Sequence, residues 1–117
     1  MATNPAFAKV EKNNLVQTLT WTLTTAAPDG AWVKFNAFRD RCVSFTGTFG
    51  GATFKLMGSN DDGTNSFMLN DPTGTDITGT AAAMFQVMES PLLVRPQLTV
   101  VGAGATLTVV MVLARSA

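Results

Sequence analysis

The sequence has no histidine, no tyrosine, a single cysteine and few charged residues. Histidine is the side chain that most often serves as a general base, a triad member or a zinc ligand. The single cysteine, Cys42, excludes a disulfide within the chain. These absences favour a protein that is not an enzyme, with no catalytic residues, no metal site and no cofactor.

Charged residues make up only 14% of the chain, against about 25% in typical soluble domains. Eight Lys and Arg balance eight Asp and Glu, and the basic residues are scattered, so a nucleic-acid partner is not expected. Apolar and threonine side chains must then occupy surface that charges usually hold. The composition therefore favours a domain that is partly covered by partner proteins over a free-standing monomer.

Membrane attachment is not expected either. The first 14 residues contain no long apolar run of the kind found in a secretory signal. Residues 98–114 are uncharged, but their 17 residues are at the lower edge for a spanning helix. Their β-branched residues and central glycines favour a β-hairpin instead.

Residues 92–115 predict two long strands joined at Gly102-Ala103-Gly104, forming the central hairpin of a β-sandwich. One face of the second strand is apolar at every alternate position, namely Ala105, Leu107, Val109, Met111 and Leu113. From Val110 onward the opposite face is apolar as well. A strand that is apolar on both faces must be covered on both, so we expect a second sheet on one side and more chain or another subunit on the other.

Residues 15–24 alternate most cleanly, with Trp21 on the apolar face and threonines on the other, which predicts a half-buried strand. Turns are predicted at residues 27–30 and 70–74, and a hairpin across the polar loop 59–65. Gly47 indicates a bulge, and Pro96 an edge position or a bulge. Further strands are predicted at residues 31–38, 42–49, 52–58, 67–69, 76–80 and 81–89, the last with a helical turn as its alternative.

Short strands separated by turn signals predict an all-β fold, an antiparallel β-sandwich with a jelly-roll-like arrangement. Residues 1–14 are small and polar, which predicts an extended N-terminal arm, with a frayed terminus as the alternative. Residues 15–117 then form a single β-sandwich domain.

Several patterns resemble chemical motifs but have simpler interpretations. Residues 102–107 begin like a dinucleotide-binding fingerprint, but they lack its third glycine and lead into a strand, so they predict a turn. Residues 60–65 offer oxygens for calcium without the EF-hand spacing, which favours a solvated turn. Asp61 and Asp62 are adjacent rather than opposed across a cleft, as a glycosidase pair would be. Cys42 is best interpreted as a small core or interface residue.

Residues 54–67 read FKLMGSNDDGTNSF, followed by LNDP at 69–72 and VRPQLTV at 94–100. This turn-and-strand pattern, over residues 52–115, resembles the small β-sandwich head proteins of tailed bacteriophages, the decoration, cement or stapling proteins. The resemblance implies a structural virion protein that is made in the host cytoplasm and binds the outer surface of the capsid. There it would stabilise contacts between capsomers of the major capsid protein.

The resemblance also implies two partners, the major capsid protein and further copies of the chain as a homodimer or a homotrimer. The self-contact would use an uncovered sheet face or edge. The candidate capsid contacts in the arm are Pro5, Phe7, Lys9, Val10 and Lys12. The candidate contacts in and near the polar loop are Trp32, Asn60, Asp61, Asp62 and Asn65.

A second resemblance implies a different function. The turn at residues 58–67 and the strand start at Val94-Arg95 also resemble discoidin-like sandwiches that bind sugars or lipids. The alternative function is therefore a carbohydrate-binding module of a phage tail or surface protein. In that case Trp32 and the loop at residues 61–65 would form the sugar site.

Overall fold

The structure is a computed structural model that describes residues 9–12, 16–34, 40–89, 91–99 and 104–114. Every regular element in these ranges is a β-strand, and all the pairings are antiparallel. The strands are β1 (Lys9–Lys12), β2 (Val16–Thr24), β3 (Asp40–Thr48), β4 (Phe54–Ser59), β5 (Phe67–Met68), β6 (Thr78–Gly79), β7 (Ala83–Val87), β8 (Leu93–Leu98) and β9 (Thr106–Ala114). Two sheets pack on a shared core, which confirms the predicted antiparallel sandwich.

The larger sheet has five strands in the order β1-β2-β9-β3-β7. β9 lies at its centre and pairs along all nine residues with both β2 and β3. The alternation predicted for β2 and β9 is confirmed, because Trp21 and Val109 are fully buried while Thr22 and Thr108 are exposed. The indole Nε1 of Trp21 donates a hydrogen bond to the Ala31 carbonyl at 3.0 Å, so the polar atom of this core residue is satisfied.

In the smaller sheet, β4 pairs with β5 and β6 along one edge and with β8 along the other. The far side of β8 meets the irregular segment 28–33, where the Gly30 N–H donates to the Pro96 carbonyl at 2.9 Å. Pro96 has no N–H to give to a ladder, and it lies on this outer side of β8. The edge position predicted from Pro96 is confirmed.

The predicted hairpin of residues 92–115 is wrong, because β8 and β9 belong to different sheets. β9 matches the nine-residue length of β2 and β3, so it can pair with both along its whole length at the centre of the larger sheet. β8 has six residues and contains Pro96, so it pairs with the six-residue β4 instead. Of the predicted turn, Gly104 has a φ of +80°, and Gly102 and Ala103 lie outside the described residues.

The remaining strand predictions have mixed outcomes. Those at residues 42–49, 52–58, 67–69, 76–80 and 81–89 are confirmed as β3 to β7, although β6 has only two residues. The hairpin across loop 59–65 is confirmed by the β4–β5 pairing. The strand at residues 31–38 is not found in its described part, where Val33 makes one isolated bridge to Val94, and residues 35–39 lie outside the described ranges. In β4 both Leu56 and Met57 are buried, so this strand does not alternate strictly between buried and exposed residues.

Gly47 does not form the predicted bulge, because the register between β3 and β9 is unbroken from Asp40 to Thr48. Its φ is +125°, and a Cβ at this position would lie 2.3 Å from the Thr106 carbonyl oxygen. Glycine is therefore required for close approach of two backbones within a regular ladder.

Part of the predicted arm is an edge strand. Residues Lys9–Lys12 form β1, which pairs with β2 so that Lys9 lies opposite Thr20 and Lys12 opposite Gln17. The pairing of β1 has a simple physical reason, because an extended segment can satisfy its backbone groups along the open edge of a long strand. Val10 lies in the same strand, whereas Pro5 and Phe7 lie outside the described residues.

An aromatic cluster joins the two sheets. The rings of Phe45 on β3 and Phe54 on β4 stack with centroids 3.9 Å apart. Phe85 on β7 meets both rings edge-on, at 6.2 Å from Phe45 and 6.0 Å from Phe54. Since Phe45 and Phe54 are fully buried, this cluster is the centre of the core that holds one sheet on the other.

Candidate functional site

Two surfaces of the sandwich are candidates for binding. The first is the loop groove, formed by loop 59–65 between β4 and β5 together with the neighbouring residues Phe67, Met68, Glu89 and Pro91. The second is the outer face, formed by the side chains of β2, β9, β3 and β7 that point away from the core. The candidate residues of the polar loop belong to the first surface, and Cys42 belongs to the second.

The loop is shaped by its own short polar side chains. Asp62 has a φ of +64° and Gly63 a φ of +86°, so the chain reverses through two consecutive left-handed residues. The hydroxyl of Ser59 accepts a hydrogen bond from the Gly63 N–H at 2.9 Å and donates one to the Asp61 carboxylate, also at 2.9 Å. These bonds fix the turn at the end of β4.

The Asp61 carboxylate closes the loop from within. It accepts the backbone N–H of Asn65 at 2.8 Å and the side-chain amide of Asn65 at 2.6 Å. These bonds, the Asn65 backbone N–H first, lower the pKa of Asp61 below its ordinary value, with a further contribution from the Ser59 hydroxyl. Asp61 and Asn65 are therefore brought together by the structure, and their hydrogen bonds preform the loop.

The loop should keep its shape down to acid pH. A carboxylate with a lowered pKa stabilises the folded loop above its ordinary pKa, and this contribution is lost as the pH falls through the lowered value. We therefore expect the backbone amide resonance of Asn65 to hold its position in NMR spectra at neutral pH and to move only below about pH 4.

The Asp61→Asn variant is the matched control, because its side chain cannot ionise. Its Asn65 resonance should show no transition over the same acid range. A wild-type transition centred above the ordinary carboxyl value would contradict the assignment of the Asp61 contacts.

Trp32 packs against this loop, as its grouping with the loop residues predicts. A Cβ added to Gly63 would lie 3.0 Å from the indole Nε1 of Trp32. On the ring face, the guanidinium carbon of Arg95 lies 4.4 Å from the ring centroid, which is cation–π distance. One face of the indole is therefore occupied by Arg95, which leaves less of the ring for a sugar to stack on.

The loop groove has a volume of about 430 Å³. Phe67, whose side chain is 72% exposed, and Met68 form an apolar wall opposite the polar loop. Glu89 adds a carboxylate that accepts the Asn70 N–H at 2.8 Å. An apolar wall beside the carboxylates of Asp61 and Glu89 suits an apolar or cationic side chain of a protein partner.

The other loop candidates lie at its rim. Asn60 is exposed, and its side-chain oxygen accepts the Leu92 N–H at 2.9 Å, which ties the loop to the start of β8. Asp62 is exposed at the tip of the loop. Sequence reasoning did not single out Arg95, Phe67 or Glu89. The alternation of β8 places Arg95 outward, but no sequence signal shows that it lies over Trp32.

Most side chains of the outer face are threonine, small or apolar, with Gln86 on β7 as a larger polar exception. Its threonines cluster at one end in two cross-strand rows, Thr22–Thr108–Thr46 and Thr24–Thr106–Thr48. The other end is mostly apolar, with Val16, Cys42, Met84, Val110, Val112 and Ala114. Among the described outward side chains of β2, β9, β3 and β7, Asp40 at the end of β3 is the one carboxylate, and none is basic.

Within the described ranges, no three Asp, Glu or Cys side chains come close enough to hold a metal ion together. The same part of the chain contains no helix of the length and apolarity needed to span a membrane. In loop 60–65, considered above for calcium, the Asp61 carboxylate accepts bonds from Ser59 and Asn65, and the Asn60 side-chain oxygen accepts the Leu92 N–H.

No protein-family model matches the sequence, and no curated protein matches it. Two solved structures have a similar fold. The SPBc2 prophage-derived protein YomS matches with a TM-score of 0.59 and 12% identity, over 90% of this chain and 99% of its own. Protein NMB1881 from Neisseria meningitidis matches with a TM-score of 0.50 and 10% identity, over 97% of this chain and 89% of its own. At such identities the likeness is one of fold.

Proposed function

We propose that this chain is a structural protein of a tailed-bacteriophage particle, not an enzyme. It binds the outer surface of the head as a decoration or cement protein and stabilises the contacts between capsomers of the major capsid protein. The outer face of the five-stranded sheet is the observation that carries the proposal, because it exposes valine, methionine and threonine side chains where a free-standing protein usually has charges.

The preformed loop groove supports the same role. A cement protein acts by adding binding free energy that expansion of the shell would have to overcome, and a contact surface that is already shaped loses less of that free energy to ordering. Asp61, Ser59 and Asn65 hold the loop in one conformation through their own hydrogen bonds. The exposed Phe67 beside them supplies the apolar anchor that protein interfaces commonly use.

One of the two fold neighbours agrees with a phage origin. YomS is described as prophage-derived, and its fold matches 90% of this chain. With 12% identity, that match supports the origin of the fold and does not extend to a position on the capsid. The N-terminal segment and the loop groove are the proposed contacts with the major capsid protein.

Binding to heads tests this function, and the N-terminal segment supplies the variant. Heads of the parent phage that lack this protein are mixed with the full chain or with a chain lacking residues 1–8, which retains β1. We expect the full chain to sediment with the heads and the truncated chain to bind at least about tenfold more weakly, since a segment that orders on a neighbour loses its contacts when removed.

A chain lacking residues 1–14 is the matched comparison, because it also loses β1. It should stay folded, since β1 contributes four residues at one edge of the sheet, and it should bind no better than the shorter truncation. Equal binding by all three chains would remove the N-terminal segment from the contact.

Copy number provides the second test. Quantitative mass spectrometry of purified particles should find the protein in hundreds of copies per head, as the repeated capsomer contacts require. A few copies per particle would contradict the capsid role.

The carbohydrate-binding alternative is supported by the contact of Trp32 with Gly63 in the loop. A few copies per particle, together with glycan binding that Trp32→Ala abolishes, would overturn the capsid role in favour of that alternative.

A further inference from the structure

The outer face concentrates the exposed apolar surface of the described residues. Five large apolar side chains are exposed among the described residues. Three of them lie on the outer face, namely Val16, Met84 and Val112, with exposures of 37%, 70% and 41%. Val112 is on β9, the central strand, with Thr18 and Cys42 directly beside it on β2 and β3. Val112 therefore lies on the middle strand of a regular three-strand platform, within the apolar end of the face, and a sheet-to-sheet contact would be centred there.

We propose that two copies of this chain associate through their outer faces, sheet against sheet, around a two-fold axis near Val112. The assignment rests on the proposed function, since the resemblance to capsid decoration proteins also implies further copies of the chain as a partner. It specifies a dimer, because a face that contacts its own copy is isologous and closes after two subunits.

A second copy is the occupant that the charges favour. The described outward side chains of the four strands β2, β9, β3 and β7 carry a single carboxylate, Asp40, at the end of β3. Apart from Asp40 at the end of β3, two such faces can therefore meet without placing charges in the contact, and a charged partner would find little there to pair with. The threonine rows at one end supply hydroxyls that can bond across the contact or to water.

The available area is sufficient for a modest dimer. Nine residues at about 3.3 Å each give strands about 30 Å long, and three strands about 4.8 Å apart with the shorter β7 beside them give roughly 500 Å² per copy. The pair would bury about 1,000 Å², which is close to the minimum for a specific interface. A dissociation constant in the micromolar range is therefore expected.

The central test places a charge at the proposed axis. In Val112→Lys two lysines would lie close together in the dimer, whereas the monomer tolerates the change because the side chain is 41% exposed. Sedimentation equilibrium of the full chain, from about 1 µM to 1 mM, should give a monomer–dimer equilibrium for the wild type and a dissociation constant at least about a hundredfold weaker for Val112→Lys.

Phe67→Lys is the matched control, because it introduces the same charge at an exposed apolar residue of the other sheet. Its dimerisation should equal that of the wild type. A wild-type protein that is monomeric at 1 mM, a trimer, or a dimer that Phe67→Lys disrupts and Val112→Lys does not would each overturn the proposal.

The single cysteine provides a second measurement that does not depend on a variant. Cys42 lies next to Val112 across the β3–β9 pairing and would be covered in the dimer. Its reaction with a thiol reagent should slow at least about tenfold between protein concentrations below and above the dissociation constant. In Val112→Lys the reaction should be equally fast at both concentrations, and a rate independent of concentration in the wild type would contradict the proposal.

These measurements use purified protein without heads, so they separate this inference from the proposed function. A dimer that does not bind heads would remove the capsid role and leave the interface standing. A chain that binds heads but never dimerises would remove the interface and leave the capsid role standing.

Discussion

Replacing Phe54 by alanine should lower the free energy of unfolding by about 3–5 kcal/mol, the range found when a buried Phe is truncated to Ala. Phe54 is fully buried on the central strand of the smaller sheet, and its ring stacks on Phe45 of the other sheet at 3.9 Å. The edge contact with Phe85, at 6.0 Å, is lost in the same step. The change removes contacts between the two sheets, so it weakens the sandwich as a whole.

This loss is a large share of the stability that a domain of this size has, which is about 5–15 kcal/mol. Chemical denaturation of the variant and the wild type measures it directly, and the melting temperature should fall by roughly 10–20 °C. Phe67→Ala is the control, because its side chain is 72% exposed and its removal should change stability by no more than about 0.5 kcal/mol. Equal losses from the two variants would contradict the assignment of Phe54 to the inter-sheet core.

Strand alternation was sufficient to predict most of the larger sheet. β2 and β9 each place apolar side chains at every second residue, and a half-buried strand needs no further information to orient its two faces. The aromatic residues of β3 and β7 follow the same pattern. What periodicity does not contain is the partner of each strand, because pairing depends on strand length and on contacts distant in the sequence.

The error at residues 92–115 shows this limit. Gly102 and Gly104 are turn residues, and a turn between two apolar segments ordinarily predicts a hairpin. The same glycines also suit a connection that passes from one sheet to the other. The sequence offers no local signal that distinguishes such a connection from a hairpin. The lengths of the strands decide, since nine-residue β9 pairs fully with β2 and β3 while six-residue β8 pairs with β4.

The burial of two polar residues was also not predicted from the sequence. Gln17 and Arg41 lie on the core-facing side of β2 and β3 with exposures of 6% and 3%. Alternation places them there, but polar side chains at such positions are ordinarily taken to mark a strand end. Desolvation lowers the pKa of the Arg41 guanidinium, which remains cationic because its ordinary value is so high.

The candidate site was predictable only in its loop. Asp61, Gly63 and Asn65 form a turn by composition alone, and the structure confirms both the turn and its position between β4 and β5. Trp32 was grouped with the loop from its residue type, and it does pack on Gly63. Arg95 lies 63 residues further along the chain than Trp32, so its place over the indole follows from the sheet pairing and not from any local pattern.

The second large effect is expected at Gly47. Its φ of +125° is a conformation that side chains rarely adopt, and a Cβ would lie 2.3 Å from the Thr106 carbonyl oxygen. Backbone strain of this kind costs about 1–3 kcal/mol, and relieving the contact must move one backbone away from the other within the β3–β9 ladder. We expect Gly47→Ala to lower the free energy of unfolding by about 3 kcal/mol or more, measured by chemical denaturation.

Gly51→Ala separates the cost of the backbone conformation from the cost of the steric contact. Gly51 also has a positive φ, +82°, but no atom lies within 4 Å of its added Cβ. That variant should lose only about 1 kcal/mol, the cost of the backbone conformation alone. A Gly47→Ala loss no larger than that of Gly51→Ala would mean that β3 and β9 are not held at this distance. The platform of β2, β9 and β3 would then lack the regularity that a flat contact with a second copy requires, so the stability of one glycine variant bears directly on the proposed interface.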